Sequence, residues 1–123
     1  MSKGLGIESI LVVDDEEFIR DFLSEILTSE GYKVILASDG NEALIKYQEH
    51  LDCVNLVLMD IGMPNKDGIA ACMDIFAMNP HQKIILMSAY FAKSLGDLNN
   101  IKFIQKPMQP SELFSMVREA LDS

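Results

Sequence analysis

The sequence predicts an α/β fold in which helices cover both faces of a parallel sheet. Strand-like and helix-like segments alternate five times along the 123 residues. The strand segments are short, continuous apolar runs, which is typical of strands buried on both faces. We expect residues 1–123 to form one domain with no output domain, and about residues 1–8 to be a loose tail.

The first half of the chain contains two predicted strand–helix units. Residues 10–13 form the first strand, and residues 16–29 repeat apolar side chains at helical spacing. Gly31 supplies a left-handed cap after that helix. Residues 32–36 and 42–50 are the second strand and helix. The apolar positions of the first helix, in the i, i+3, i+4 pattern of an amphipathic helix, are Phe18, Ile19, Phe22, Leu23, Ile26 and Leu27.

The second half contains three further units. The central strand, residues 55–59, ends at Asp60 and is followed by turn residues and a helix over 69–78. Asn79 and Pro80 close that helix, since proline cannot continue it. A strand over 83–87 ends at Ser88, and a short helix over 90–95 follows. The last strand and helix are predicted at 101–104 and from 109 onward.

Composition, charge and the pattern of apolar residues argue against several classes of function. The net charge of −9 argues against direct binding to a nucleic-acid backbone. No apolar run approaches the ~20 residues that span a membrane, and the N-terminus lacks the apolar core of a secretory signal. Cys53 and Cys72 have no metal-ligand spacing, and we expect both to be buried thiols.

Polar side chains follow the predicted strands where a parallel sheet binds its ligands. These residues are Asp14, Asp15, Asp60, Ser88 and Lys106. Three crowded carboxylates repel one another, which favours a cation among them. Mg²⁺ suits such oxygen ligands, and together with Lys106 it would bring the summed charge to zero. We therefore expect a magnesium site at this edge.

Such a site is suited to phosphoryl chemistry. An aspartate carboxylate can attack phosphorus and form an aspartyl phosphate, while a metal, an ammonium and a hydroxyl stabilise the phosphoryl oxygens. Each residue alone has a simpler interpretation. The acid pair could simply stabilise the N-terminus of the following helix, Ser88 could be a cap, and Lys106 could lie in a solvated turn. Their joint placement at successive strand ends favours the site.

Four motifs make the chain resemble the receiver domain of two-component response regulators over essentially its whole length. They are the residues 10–15, ILVVDD; the residues 56–64, LVLMDIGMP, with Asp67 and Gly68; the residues 87–89, MSA; and the residues 103–107, FIQKP. The resemblance implies a flavodoxin-like (βα)5 fold like that of the chemotaxis regulators. It also implies a doubly wound, five-stranded parallel sheet with the strand order 2-1-3-4-5, an order for which a chemotaxis regulator is a standard example.

The resemblance also implies roles for individual residues. Asp60 matches the phosphoacceptor, Ser88 and Lys106 match its catalytic partners, and Phe103 matches the aromatic switch that responds when Ser88 moves. Mg²⁺ would be held by Asp14, Asp15, Asp60 and the backbone carbonyl of Gly62. The bond between Lys106 and Pro107 would be cis. Because the segment from Ser88 to Lys106 is about one helical turn shorter than usual, the fourth helix should be short or irregular.

The function implied is that of a cytoplasmic phosphorelay receiver. A sensor histidine kinase or histidine phosphotransfer protein would donate a phosphoryl group to Asp60, and the altered surface would signal to a downstream protein or attached domain. The phosphorylated form could dimerise, and no membrane or nucleic-acid contact is expected. The alternative is a pseudo-receiver that binds proteins without phosphorylation. A haloacid-dehalogenase-like phosphatase shares the chemistry, but the chain lacks its second-carboxylate motif and its cap domain.

Overall fold

The computed structural model describes residues 7–63, 66–89 and 101–123. Five parallel strands form one sheet in the order β2-β1-β3-β4-β5, which confirms the predicted fold class. The strands are β1 Ser9–Val13, β2 Lys33–Ala37, β3 Val54–Asp60, β4 Ile84–Ser88 and β5 Ile101–Gln105. The helices within the described ranges are α1 Glu17–Ser29, α2 Gly40–Glu49, α3 Gly68–Met78 and α4 Pro110–Asp122.

Side-chain caps mark where α2 and α3 begin. The carboxylates of Asp39 and Asp67 each accept a 2.8 Å hydrogen bond from a backbone N–H in the first turn of α2 and α3. Such caps satisfy N–H groups that have no partner inside the helix. After α1, Gly31 adopts a φ of 96°, as predicted for a left-handed cap.

The core lies on both faces of the sheet. On one face, Tyr47 of α2 and Ile75 of α3 pack against Leu11 and Val13 of β1. On the other face, Leu27 of α1 and Val117 of α4 belong to the cluster that contains alternate residues of the same strand. Successive side chains of a strand point to opposite faces, so β1 contributes to both clusters. This arrangement confirms that the sheet is doubly wound.

The predicted amphipathic helix is present as α1, but not all of its apolar side chains are buried. Phe18 is 75% exposed and Phe22 is 41% exposed, whereas Leu23 and Leu27 on the same helix are buried. The apolar stripe of α1 is wider than the part of the helix that the sheet covers. The two phenylalanines line an open apolar groove of about 450 Å³.

The prediction that both cysteines are buried holds only for Cys72. Cys53 is exposed because it lies in the turn immediately before β3, whose burial begins at Val54. Cys72 lies on the inner side of α3, where desolvation raises the pKa of its thiol to about 11.

Two predictions fall wholly or partly outside the described residues. The short fourth helix over 90–95 lies outside them, and so do residues 1–6 of the predicted N-terminal tail. Glu8, at the end of that tail, accepts hydrogen bonds from the Arg118 guanidinium at 2.9 and 3.0 Å. None of the helices in the described ranges is long and apolar enough to cross a membrane.

Candidate functional site

The register of the sheet places the candidate residues at its carboxyl edge. Val13 pairs with Met59, so Asp14 follows β1 at the level where Asp60 ends β3. Asp60 in turn pairs with Met87, and Ser88 is the next residue of β4. Lys106 directly follows Gln105, the partner of Ser88 on β5. Four adjacent strands therefore deliver their polar side chains to one edge.

Three carboxylates meet at this edge. Asp14, Asp15 and Asp60 each offer an oxygen that lies within 4.8 Å of the others. Asp14 is fully buried and Asp60 is 7% exposed, whereas Asp15 is open to solvent. The cluster is therefore buried at Asp14 and Asp60 and accessible to solvent at Asp15.

Lys106 brings a positive charge to these acids. Its Nζ lies 2.9 Å from Oδ2 of Asp14 and 3.3 Å from Oδ1 of Asp60. Burial alone would lower the pKa of Lys106, but the hydrogen bond and charge of Asp14, together with those of Asp60, raise it above its ordinary value. The ammonium group therefore keeps its charge at neutral pH and bridges two carboxylates from different strands.

Backbone contacts hold Lys106 in this position. Its N–H donates a 2.7 Å hydrogen bond to the carbonyl of Ser88, which continues the pairing of β4 with β5 beyond the last strand residues. The Lys106–Pro107 peptide bond is cis, as the resemblance implied. The chain then enters α4, whose first turn is closed by a 2.9 Å hydrogen bond from the N–H of Gln109 to Glu112.

The pKa of Asp60 is raised above its ordinary value. Desolvation is the main cause, and the negative charges of Asp14 and Asp15 act in the same direction. Lys106 opposes the shift through its charge and hydrogen bond, but does not reverse it. The ionised carboxylate of Asp60 is therefore held in surroundings that disfavour its charge.

The turn that carries the acid pair is fixed from several sides. Oδ1 of Asp14 accepts a 3.0 Å hydrogen bond from the N–H of Glu16, and the Asp14 N–H donates to the carbonyl of Ala37 at 3.2 Å. The guanidinium of Arg20 donates a 2.8 Å hydrogen bond to the carbonyl of Asp14. Arg20 was not identified from the sequence, because a side chain that contacts a backbone carbonyl leaves no pattern beyond its spacing.

The loop after Asp60 begins with two tight backbone contacts. The N–H of Ile61 donates to the carbonyl of Met87 at 2.9 Å, and the carbonyl of Ile61 accepts from Gly68 at 2.9 Å. Gly62 is exposed, and a β-carbon there would meet no atom of the described residues within 4 Å. The role of its carbonyl as a metal ligand stays a prediction.

Ser88 and Phe103 lie on β4 and β5, the two strands that follow β3 in the sheet. Ser88 is half-buried at the end of β4. Phe103 is half-buried on β5 and packs against the core cluster on the side of α2 and α3. Their predicted roles as a mobile hydroxyl and an aromatic switch concern a phosphorylated state, and they stay predictions.

Residues 10–118 match the family model described as the response regulator receiver domain. The chain belongs to the response regulator receiver domain family. The matched range contains the three clustered aspartates and Lys106, so the described edge of the sheet lies within the receiver domain.

Individual relatives support the same assignment. The chain is 40% identical over 110 residues to the chemotaxis protein CheY of Thermotoga maritima, covering 85% of this chain and 89% of that protein. It is 37% identical to a probable transcriptional regulator of Cyanophora paradoxa, covering 93% of this chain but only 48% of the relative. Similar receivers therefore occur both in short chemotaxis proteins and as parts of longer regulators.

A solved structure provides the third comparison. The chain is similar to the crystal structure of a CheX–CheY–BeF3–Mg²⁺ complex from Borrelia burgdorferi, with 33% identity and a TM-score of 0.86. The match covers 94% of this chain and 91% of that one. The receiver fold is therefore shared over almost the full length of both chains.

The acidic edge of this receiver domain fits Mg²⁺ by the chemistry of its donors. The three clustered side chains offer only carboxylate oxygens, which are the ligands that Mg²⁺ prefers. Three carboxylates and the single ammonium of Lys106 leave a summed charge of −2. A divalent cation would neutralise that charge, and the exposed side at Asp15 gives it a path from solvent.

Proposed function

We propose that this receiver domain accepts a phosphoryl group on Asp60 in a Mg²⁺-dependent reaction. The donor is the phosphohistidine of a sensor histidine kinase or a histidine phosphotransfer protein. The observation that carries the proposal is the position of Asp60, which lies among two other carboxylates and 3.3 Å from Lys106 at the edge of the sheet.

In the transfer step, a carboxylate oxygen of Asp60 forms a bond to phosphorus. The bond between phosphorus and the histidine nitrogen breaks, and the imidazole leaves with the electron pair. Asp60 suits this role because its carboxylate lies beside the ammonium of Lys106, which can stabilise the charge on the oxygens of the incoming phosphoryl group.

The residues proposed to hold Mg²⁺ are Asp14, Asp15, Asp60 and the carbonyl of Gly62. When bound, the ion supplies two positive charges that offset the repulsion between the phosphoryl group and the acids. Lys106 lies beside Asp60 and can donate to a phosphoryl oxygen without leaving the site. Asp14 keeps Lys106 oriented through their 2.9 Å contact.

The output of the domain is a change of surface. We propose that the Ser88 hydroxyl moves onto the phosphoryl group and that Phe103 follows by turning inward. Ala89, directly after Ser88, is small enough to leave the approach open. A ligand changes a two-state equilibrium only through a difference in affinity for the two states, and these two contacts provide that difference. A downstream protein or an attached domain would recognise the altered surface.

Phosphorylation can be tested by intact mass after incubation with acetyl phosphate and Mg²⁺. We expect one added phosphoryl group, which is lost in Asp60→Asn and in EDTA. Asp52→Asn, an exposed acid outside the site, is the matched control and should be modified like the wild type. Labelling of Asp60→Asn at one site would contradict the assignment of the phosphoacceptor.

A negative result with acetyl phosphate is followed by a second measurement, because some receivers do not use small donors. Beryllofluoride mimics the aspartyl phosphate, so NMR spectra should show shifts that spread from Asp60 to Ser88 and Phe103. If neither reagent acts on the protein, the proposal is wrong and the pseudo-receiver becomes the better interpretation.

A further inference from the structure

The backbone carbonyl of Asp14 is held by a side chain from the next element. Nη1 of Arg20, near the start of α1, donates a 2.8 Å hydrogen bond to this oxygen. Asp14 is fully buried, so its carbonyl has no access to water and needs a partner inside the protein. Arg20 supplies that partner from a half-buried position.

The oxygen that Arg20 holds belongs to the peptide group between Asp14 and Asp15. A peptide group is planar, so fixing its oxygen fixes the orientation of the whole unit. That unit joins the two residues that carry the acid pair. The remaining polar atoms of Asp14 are also engaged, by Ala37, Glu16 and Lys106. Arg20 therefore completes the restraint on this turn.

Arg20 contacts a backbone carbonyl rather than a carboxylate. Within residues 7–63, 66–89 and 101–123, its guanidinium forms no ion pair with any carboxylate, although three acids cluster at the same edge of the sheet. A positive charge at this place opposes the binding of a cation through simple electrostatics. If Arg20 orients the acid pair, that effect favours cation binding, whereas its positive charge opposes cation binding.

We propose that Arg20 is a positioning residue for the magnesium site. By holding the Asp14 carbonyl, it fixes the peptide plane between Asp14 and Asp15 and hence the directions of their carboxylates. This inference rests on the proposed function, because it takes these two carboxylates as ligands of Mg²⁺.

The opposite signs give a direct test. The affinity for Mg²⁺ is measured by titration of the backbone-amide NMR shifts, without any phosphoryl donor. If Arg20 acts only through its charge, Arg20→Ala binds Mg²⁺ more tightly. If Arg20 positions the acid pair, Arg20→Ala binds about tenfold more weakly, as is usual when a group that orients a ligand is removed.

Two further variants separate the donor from the charge. Arg20→Lys keeps the charge and one donor, and Arg20→Gln keeps a donor without the charge. We expect both to bind Mg²⁺ more tightly than Arg20→Ala does. If Arg20→Ala fails to fold, Arg20→Met, which keeps the apolar stem but neither the charge nor the donor, replaces it and should likewise bind Mg²⁺ about tenfold more weakly than the wild type. Thr28→Ala, at an exposed position of the same helix, is the matched control and should bind like the wild type.

Salt provides an independent check. High ionic strength screens charge effects between exposed groups, so a loss of affinity that persists in about 0.5 M salt supports positioning. Unchanged or tighter binding in Arg20→Ala, with normal binding in the wild type, overturns this inference alone. If the wild type itself binds no Mg²⁺, the proposed function fails together with it.

Discussion

A β-carbon at position 68 would overlap the backbone carbonyl of Asp60, because Gly68 packs directly against that residue. The same glycine donates a 2.9 Å hydrogen bond to the carbonyl of Ile61. The start of α3 is thus fitted against the end of β3, and the loop that leaves Asp60 has little freedom at this point. The position of the candidate phosphoacceptor depends on the absence of a side chain at residue 68.

Gly68→Ala should destabilise the protein by about 1–2 kcal/mol, because overpacking outweighs the better helix propensity of alanine. Urea unfolding measures this change. Gly62→Ala is the matched control, since a β-carbon there contacts nothing within 4 Å in the part of the chain that the structure describes, and its stability should stay close to that of the wild type. Equal effects of the two substitutions would show that the close packing at Gly68 has no energetic role.

Lys106→Ala should destabilise the protein in EDTA by about 2–3 kcal/mol, because it leaves the buried carboxylate of Asp14 without its cation. Mg²⁺ should recover part of this loss, since a bound cation again neutralises the acids. Unfolding is measured with and without Mg²⁺. Lys102→Ala removes only a 3.9 Å exposed pair with Glu119 and should cost less than about 0.5 kcal/mol. A loss in Lys106→Ala that Mg²⁺ does not change would contradict this account.

The raised pKa of Asp60 predicts a pH-dependent cost in the metal-free protein. The folded state binds the proton of Asp60 more tightly than the unfolded state does. The ionised group therefore destabilises the fold above the folded-state pKa, and this cost disappears as pH falls below the unfolded-state pKa. In EDTA, Asp60→Asn should be more stable than the wild type at pH 7, and the difference should shrink toward pH 4. A difference that does not depend on pH would be inconsistent with a raised pKa.

Asp15→Ala should weaken Mg²⁺ binding at least about tenfold, because it removes one of three carboxylates from the cluster. NMR titration provides the affinity. Glu17→Ala removes a neighbouring acid from the first turn of α1 and should have only a small effect. If both variants bind Mg²⁺ alike, Asp15 acts through its charge alone and is not a ligand.

Tyr47→Phe should destabilise the protein by about 1–2 kcal/mol without changing phosphorylation. The Tyr47 hydroxyl donates a 2.7 Å hydrogen bond to Oε1 of Gln82, and its loss leaves a buried acceptor without that partner. Chemical denaturation and the acetyl phosphate assay give the two results. Tyr32→Phe is the control, because Arg118 keeps Glu8 and Asp122 when that hydroxyl is lost. A change in phosphorylation would mean that this contact affects the site.

The sheet and the acidic edge could be predicted because parallel topology has strong consequences. Once apolar runs are recognised as parallel strands, their carboxyl ends must meet, so Asp14, Asp60 and Lys106 come to one edge. Single-residue geometry was harder to predict. Helical periodicity identified the apolar stripe of α1 but not how far the sheet covers it, and Phe18, which belongs to that stripe, is exposed.

Contacts to the backbone could not be predicted. Arg20 binds a carbonyl, and any residue could supply that group, so no pairing of side-chain types signals the contact. The closer approach of Lys106 to Asp14 than to Asp60 also depends on sub-ångström placement at the end of β5. Cys53 was assigned to the interior from its apolar neighbours, but it lies in a turn that leaves it exposed.

The different burial of the two cysteines gives the protein one natural attachment point for a spectroscopic reporter. Cys53 is exposed, whereas Cys72 is buried and its raised pKa keeps little thiolate at neutral pH. A maleimide dye should therefore label Cys53 alone. Cys53 precedes β3 and Asp60 ends it, so the dye would sit roughly 20 Å from the proposed phosphoacceptor at the usual rise of a strand. Fluorescence could then report on the domain without a dye attached among the residues of the acidic edge.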